Sequence, residues 1–224
     1  MYNLFILAVA PIFISAFYIY IRDKYEKEPI RLLITGLIFG SIISIPIGFC
    51  EEYLERFTPT SNNFLRIFYI SFIVAGFCEE IFKFIVLYFL IWHEKNFNEP
   101  FDGIVYAVII SLGFAMTENI LYVINPQIGG IYTALTRAIF SVPGHGLFGV
   151  TMGYFFALAK VNKNYFYPAI ILPIFLHGLF NLILLCEIPF AMLIFIMYAI
   201  YLWNSGQKKM QKHLDCSPFK THKK

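Results

Sequence analysis

Charge is scarce in this 224-residue chain. Asp, Glu, Lys and Arg make up 14% of it, against 59% hydrophobic and 19% aromatic residues, whereas soluble domains carry roughly 25% charged residues. That shortage argues against an ordinary soluble domain built around one core. Cysteine is scarce as well: Cys50, Cys78, Cys186 and Cys216 include no closely spaced pair. The sequence therefore suggests neither a disulfide framework nor a thiolate metal site, and the four read as small apolar fillers. No long polar loop, low-complexity linker or internal repeat divides the chain, so residues 1–204 read as one membrane domain and 205–224 as a basic tail. No G-x-S-x-G marks a serine nucleophile, and no H-E-x-x-H marks a zinc helix.

Long apolar runs are plentiful. A spanning helix needs roughly 20 apolar residues, and seven segments approach that length: about 2–21, 32–49, 67–91, 101–124, 133–159, 167–187 and 188–204. The last two meet at "CEIP", the weakest boundary. The first segment has no basic region ahead of it and no small-residue cleavage site behind it, so it reads as a retained helix. The fold class is therefore all-α, a polytopic transmembrane bundle of about seven spans. Basic residues stay on the cytoplasmic side. Taken alternately, the connections and tail place thirteen Lys and Arg on one side and two on the other, which puts the N-terminus outside and the C-terminus in the cytoplasm. A net charge of +3, carried mostly at segment ends and in the tail, points to a lipid bilayer as partner and away from nucleic acid. Gly36 with Gly40, and Gly149 with Gly153, have the spacing of close helix contacts. Pro46, Pro143 and Pro173 fall inside helices, where each removes a backbone hydrogen bond and can kink the chain beside a cavity. Asp102 in "EPFDG" reads as a helix start signal.

Against this apolar background stand Glu79, Glu80, Lys83, Glu118, Arg137, His145 and His177. An ionisable residue at the centre of a span costs roughly 2.5–3.5 kcal/mol, so several uncompensated ones would cost on the order of 10 kcal/mol. They must share an interior polar site. Lys83 lies i,i+4 from Glu79 and i,i+3 from Glu80, one turn from either carboxylate. The two adjacent glutamates point about 100° apart, so one can face a reacting centre while the other holds a neighbouring helix. Arg137 and His145 share a helix face, as do His177 and Asn181. Counted from the outer ends of their segments, Glu79, His145 and His177 reach a common depth, whereas Glu118, Asn119 and Arg137 lie nearer the outer surface. Such a cluster suits water activation: a carboxylate held in a low-dielectric pocket can act as a base, and imidazole or amide donors can stabilise an oxyanion. His145, His177 and one glutamate could also form the His2Glu set of a catalytic zinc. Proton-coupled transporters and channels use the same residue types, and a scaffold locked by polar contacts would also contain them, so the residues alone leave hydrolase, transporter and structural roles open.

Four blocks narrow the choice. "EEIFK" (79–83), "NEPFDGIVYAVIISLGFAMTEN" (98–119), "RAIFSVPGHGLFG" (137–149) and "HGLFN" (177–181) resemble, in order, those of the PrsW intramembrane proteases, and together they extend over about half of the chain. The resemblance implies a multi-pass protease of the bacterial plasma membrane, acting in a stress response. It would make the first, extracytoplasmic-side cut in a single-pass anti-sigma factor, after which a second intramembrane protease acts and the sigma factor is released. PrsW proteins are in turn similar to the superfamily of CAAX prenyl endopeptidases, in which a paired glutamate is the base for water and an H-x-x-x-N pair forms the oxyanion hole. Carried over, Glu79 and Glu80 match the glutamate pair, His177 and Asn181 match the H-x-x-x-N pair, and His145 is the second histidine. Ser141 stands where the wider superfamily has Phe, and E-E-x-x-K stands where it has E-E-x-x-x-R; both departures favour PrsW. The expected mechanism has Glu79 deprotonating water with help from Glu80 or His145, and His177 and Asn181 binding the oxyanion. Lys83 holds the carboxylate pair charged or oriented, and Glu118, Asn119 and Arg137 shape the outward opening. No cofactor is expected, the zinc set being the alternative. Which glutamate faces the water stays open at this point.

Overall fold

The computed structural model describes residues 2–186 and 189–220. The middle of the "CEIP" turn and the last four residues of the tail lie outside the described residues. Among those described, the secondary structure is entirely helical and forms seven rods. The first is α1 (Tyr2–Arg22). The second joins α2 (Ile30–Ile42) to α3 (Ser44–Glu55). The third runs through α4 (Asn63–Tyr69), a π-helical segment (Ile70–Phe77) and α5 (Cys78–Ile91). Next come α6 (Pro100–Ile124), then α7 (Ile131–Thr136) continued by a π-helical segment (Arg137–Ser141) and α8 (Val142–Leu158). A short 3-10 turn leads into α9 (Phe166–Leu185), and α10 (Ala191–Asp215) completes the bundle. Four helical stretches, Asn3–Arg22, Ile30–Glu55, Pro100–Ile124 and Lys163–Leu185, are apolar and long enough to cross a membrane.

The exposed surface carries side chains that water would not tolerate in such number, among them Ile14, Phe49 and Phe89, as expected where hydrocarbon is the solvent. The interior is organised around α6, which is buried on nearly every face from Phe101 to Ala115. With lipid outside as apolar as Leu inside, helices associate through close packing, and small residues permit it. A Cβ on Gly153 would lie 2.1 Å from the Gly103 carbonyl oxygen, and one on Gly40 would lie 2.1 Å from that of Ile110. The backbones of α8 and α2 therefore rest directly on α6. Pro46 and Pro143 sit where rods change character: the first just after the turn between α2 and α3, the second at the start of α8 beyond its π-helical segment.

The connection between α1 and α2 is tied to the same central helix. Asp23 Oδ2 accepts the Glu28 N–H at 3.3 Å, and the Tyr106 hydroxyl of α6 donates to Glu28 Oε2. Asp102 acts as a helix start signal, its Oδ2 accepting the N–H groups of Asn98 and Glu99 at 2.8 and 2.7 Å. α10 continues past residue 204 to Asp215, so the first half of the basic tail packs on the bundle: His213 stacks on Tyr154 with centroids 4.2 Å apart and lies 2.8 Å from the Pro100 carbonyl.

Two outcomes follow. Burial, only partly offset by the Glu28 N–H and Lys27, pushes the Asp23 carboxyl up to about 7, and burial likewise pushes Glu28 up to about 7. Acids with raised values in the fold bind protons there that the unfolded chain has already lost. Thermal stability in detergent should therefore fall as pH rises from about 4 to about 7 and level off above, and Asp23→Asn with Glu28→Gln should flatten that slope. The sulfurs of Cys50 on α3 and Cys78 on α5 lie 2.8 Å apart, a proximity invisible in the sequence. Mild oxidation of the folded protein should join them, seen as loss of two maleimide-reactive thiols that reductant restores, and Cys50→Ala should abolish the effect.

Candidate active site

Both π-helical segments lie within a turn of cluster residues: Ile70–Phe77 ends two positions before Glu79, and Arg137–Ser141 begins at Arg137 and ends four positions before His145. Such wide turns are rare in helices and are frequent at functional sites. Here they deliver polar groups from separate rods to one buried place.

Lys83 is fully buried, and its Nζ donates to Glu79 Oε2 at 3.1 Å and to Glu80 Oε1 at 2.8 Å. It also lies 3.3 Å from His145 Nδ1 and 4.2 Å from the Phe114 ring centre. An ammonium can only donate, so His145 Nδ1 accepts; the ring proton then sits on Nε2, which donates to Glu118 Oε2 at 2.9 Å. On the other side His177 Nδ1 lies 2.9 Å from Glu80 Oε1, and the acceptor there is a carboxylate, so His177 donates through Nδ1. Arg137 continues the network, with Nη2 2.8 Å from Glu118 Oε2 and Nε donating to Asn119 Oδ1 at 2.9 Å. Asn119 in turn donates to the Ala8 carbonyl of α1 at 2.6 Å. The imidazoles are held by rings as well as by charge: His177 stacks on Phe148 at 4.9 Å, and His145 meets His177 edge-on at 5.3 Å.

A cavity of about 540 Å³ opens onto this cluster. Glu79, Glu118, Arg137, His145, His177 and Asn181 line it; Glu80, Lys83 and Asn119 do not. The glutamate pair thus divides as its angular spacing suggests: Glu79 faces the cavity, while Glu80 is fully buried and holds α9 through His177. Asn181 lines the cavity one turn beyond His177, and its amide makes no side-chain hydrogen bond among the described residues. Asn119 lies behind the opening as a link between α1, α6 and Arg137. Glu118 departs from its expected depth, reaching down to His145. Side chains on a helix slant toward its N-terminus, and α6 and α8 run antiparallel, so Glu118 and His145 lean toward each other along the helix axes and meet. Glu51 and Glu55 of α3 also line the cavity. The sequence reading missed them because the apolar run ends at residue 49 and the helix does not.

The donor set suits a divalent metal in type. Ligand atoms of Glu79, Glu80, His145 and His177 lie within 4.8 Å of one another. Each histidine keeps one nitrogen on a carboxylate, His145 on Glu118 and His177 on Glu80, which is the orienting arrangement common behind metal-bound imidazoles. Lys83 is the competitor: it already occupies Glu79 Oε2 and His145 Nδ1, so a metal ion would replace those two hydrogen bonds and leave Lys83 to Glu80.

The chain matches the description "PrsW family intramembrane metalloprotease" over residues 28–204. It is 36% identical over 222 residues to the Protease PrsW of Clostridioides difficile (strain 630), covering 96% of this chain and 93% of that protein. It is 39% identical over 199 residues to that of Oceanobacillus iheyensis (87% and 88% covered), and 33% identical over 211 residues to that of Bacillus subtilis (strain 168), with 91% and 92% covered. No solved structure matches. With a family match over most of its length, and relatives that align with it nearly end to end, the chain belongs to the PrsW family of intramembrane proteases.

Proposed function

We propose that this protein is an endopeptidase that cuts a single-pass anti-sigma factor within the outer half of the bilayer, the first step toward release of a sigma factor in a stress response. The observation that carries the peptidase reading is the position of Glu79: a buried carboxylate, paired with an ammonium, that faces a cavity together with two imidazoles and a free amide. The substrate class comes from the family resemblance. A helix crossing the bilayer once is also the form of substrate that a cavity among spanning helices can receive.

In this reading Glu79 takes a proton from water as the oxygen adds to the scissile carbonyl carbon. Negative charge then develops on the former carbonyl oxygen. Asn181 Nδ2–H is one donor for it, and His177 is the other. Because Nδ1 of His177 is committed to Glu80, only Nε2 can serve, and it donates only when the ring is an imidazolium. Collapse of the tetrahedral adduct breaks the C–N bond, and the proton held by Glu79 passes to the departing amine, restoring the carboxylate. Lys83 balances the charge of Glu79 and Glu80 without touching substrate, since it does not reach the cavity. Glu118 and Arg137 fix His145 beside Glu79. If zinc binds, Glu79, His145 and His177 would hold it, and it would supply a bound water of lowered pKa and polarise the carbonyl.

The test uses purified protein in detergent with a candidate single-pass anti-sigma substrate. Glu79→Gln and His177→Ala should each lower kcat/KM by about 100-fold or more, and Asn181→Ala by a similar factor, with unchanged size-exclusion profiles. Retention of more than half the wild-type rate by Glu79→Gln would remove Glu79 from the base role. A second measurement decides the metal. Activity that survives a strong chelator leaves the glutamate-only scheme, whereas loss with chelator and recovery with zinc shows a metal requirement, which Glu79, His145 and His177 would meet.

A further inference from the structure

One cavity-lining carboxylate close to Glu79 has no partner. Glu79 has Lys83, Glu118 has His145 and Arg137, and His177 has Glu80. Glu51, half-buried on α3, forms no hydrogen bond or ion pair among the described residues. Glu55, one turn farther out, also lines the cavity and is likewise unpaired.

The contact between Cys50 and Cys78 fixes where Glu51 sits. It sets the residue before Glu51 against the residue before Glu79. α3 and α5 run in opposite directions, so Glu51 lies one residue outward of this contact and Glu79 one residue inward. At about 1.5 Å rise per residue the two differ in depth by about 3 Å, and an extended peptide advances about 3.3 Å per residue. A substrate unwound over Glu79 therefore brings its next few outward residues past Glu51, and then past Glu55.

A half-buried carboxylate among apolar walls gains from a cation brought to it. No side chain among the described residues hydrogen-bonds or ion-pairs Glu51, while Glu79, Glu118 and His177 deeper in the cavity are paired. We infer that Glu51 is a specificity-determining residue that accepts a lysine or arginine side chain of the substrate, located within about three residues of the scissile bond on its extracytoplasmic side. Glu55 reinforces the same charge preference at the mouth. Arg137, the cationic lining residue, is already held by Glu118 and Asn119, so it does not compete for Glu51. The inference rests on the peptidase reading given above.

The test is a set of single-pass peptides with one mapped cut site, differing only in Lys, Gln or Glu at each of the first three positions outside the cut. Wild-type protein should cut the best Lys peptide about tenfold more efficiently in kcat/KM than its Gln counterpart, and the Glu peptide least. Glu51→Gln should bring the Lys-to-Gln ratio to within about twofold of one, and Glu51→Lys should reverse the order in favour of Glu. Equal cutting of all peptides by wild-type protein, or an unchanged ratio in Glu51→Gln, overturns this assignment alone. Failure of wild-type protein to cut any of them overturns the peptidase reading and this assignment with it. Glu51→Gln removes charge with almost no change in shape, so the outcome does not depend on Glu51→Lys folding.

Discussion

The arrangement depends on one buried ammonium. Lys83 sits where hydrocarbon and packed side chains surround it, and it holds two carboxylates and an imidazole at hydrogen-bond distance. Burying a charge is tolerable only with partners that satisfy it, and here the partners come from the same helix and from α8. Through Glu80 the pairing extends to α9, and through His145 to α6 and Arg137. Removing any member strands the next one, so the polar network also specifies how the rods sit against each other.

Close packing does the complementary work. α6 has no polar stripe to pair along most of its length; it is gripped where glycine lets backbones touch, at Gly103 against Gly153 and at Gly40 against Ile110. These contacts set the separations that the hydrogen bonds of the cluster require. A helix displaced by the width of one methyl group at Gly153 would carry His145 with it, because both lie on α8.

Much of this was legible in the sequence, for a physical reason. A charge in an apolar run is too costly to be incidental, so Glu79, Glu80, Lys83, His145 and His177 announce themselves, and the i,i+3 and i,i+4 spacings give Lys83 its partners before any coordinates are known. The seven rods follow from hydropathy in the same way. Four things were hidden. Hydropathy ends a segment at its last apolar residue, so α3 seemed to stop before Glu51. Depth counted along helix axes ignores the slant and length of side chains, so Glu118 seemed too shallow to reach His145. Contacts between rods distant in sequence, such as Cys50 with Cys78 and Asn119 with Ala8, leave no periodic trace. The π-helical segments belong with these, since nothing in "ISFIVAGF" or "RAIFS" separates a wide turn from an ordinary one.

The bond between Glu80 and His177 joins residues ninety-seven positions apart, and this separation has a meaning for the timing of synthesis. α9 is the sixth rod of seven to leave the ribosome. Until it has entered the bilayer, Glu80 and Lys83 have no imidazole from that side and the cavity has no wall carrying Asn181. A chain still being made therefore lacks the polar wall of the cavity that His177 and Asn181 supply, and the cluster around Lys83 closes only when the bundle is nearly complete.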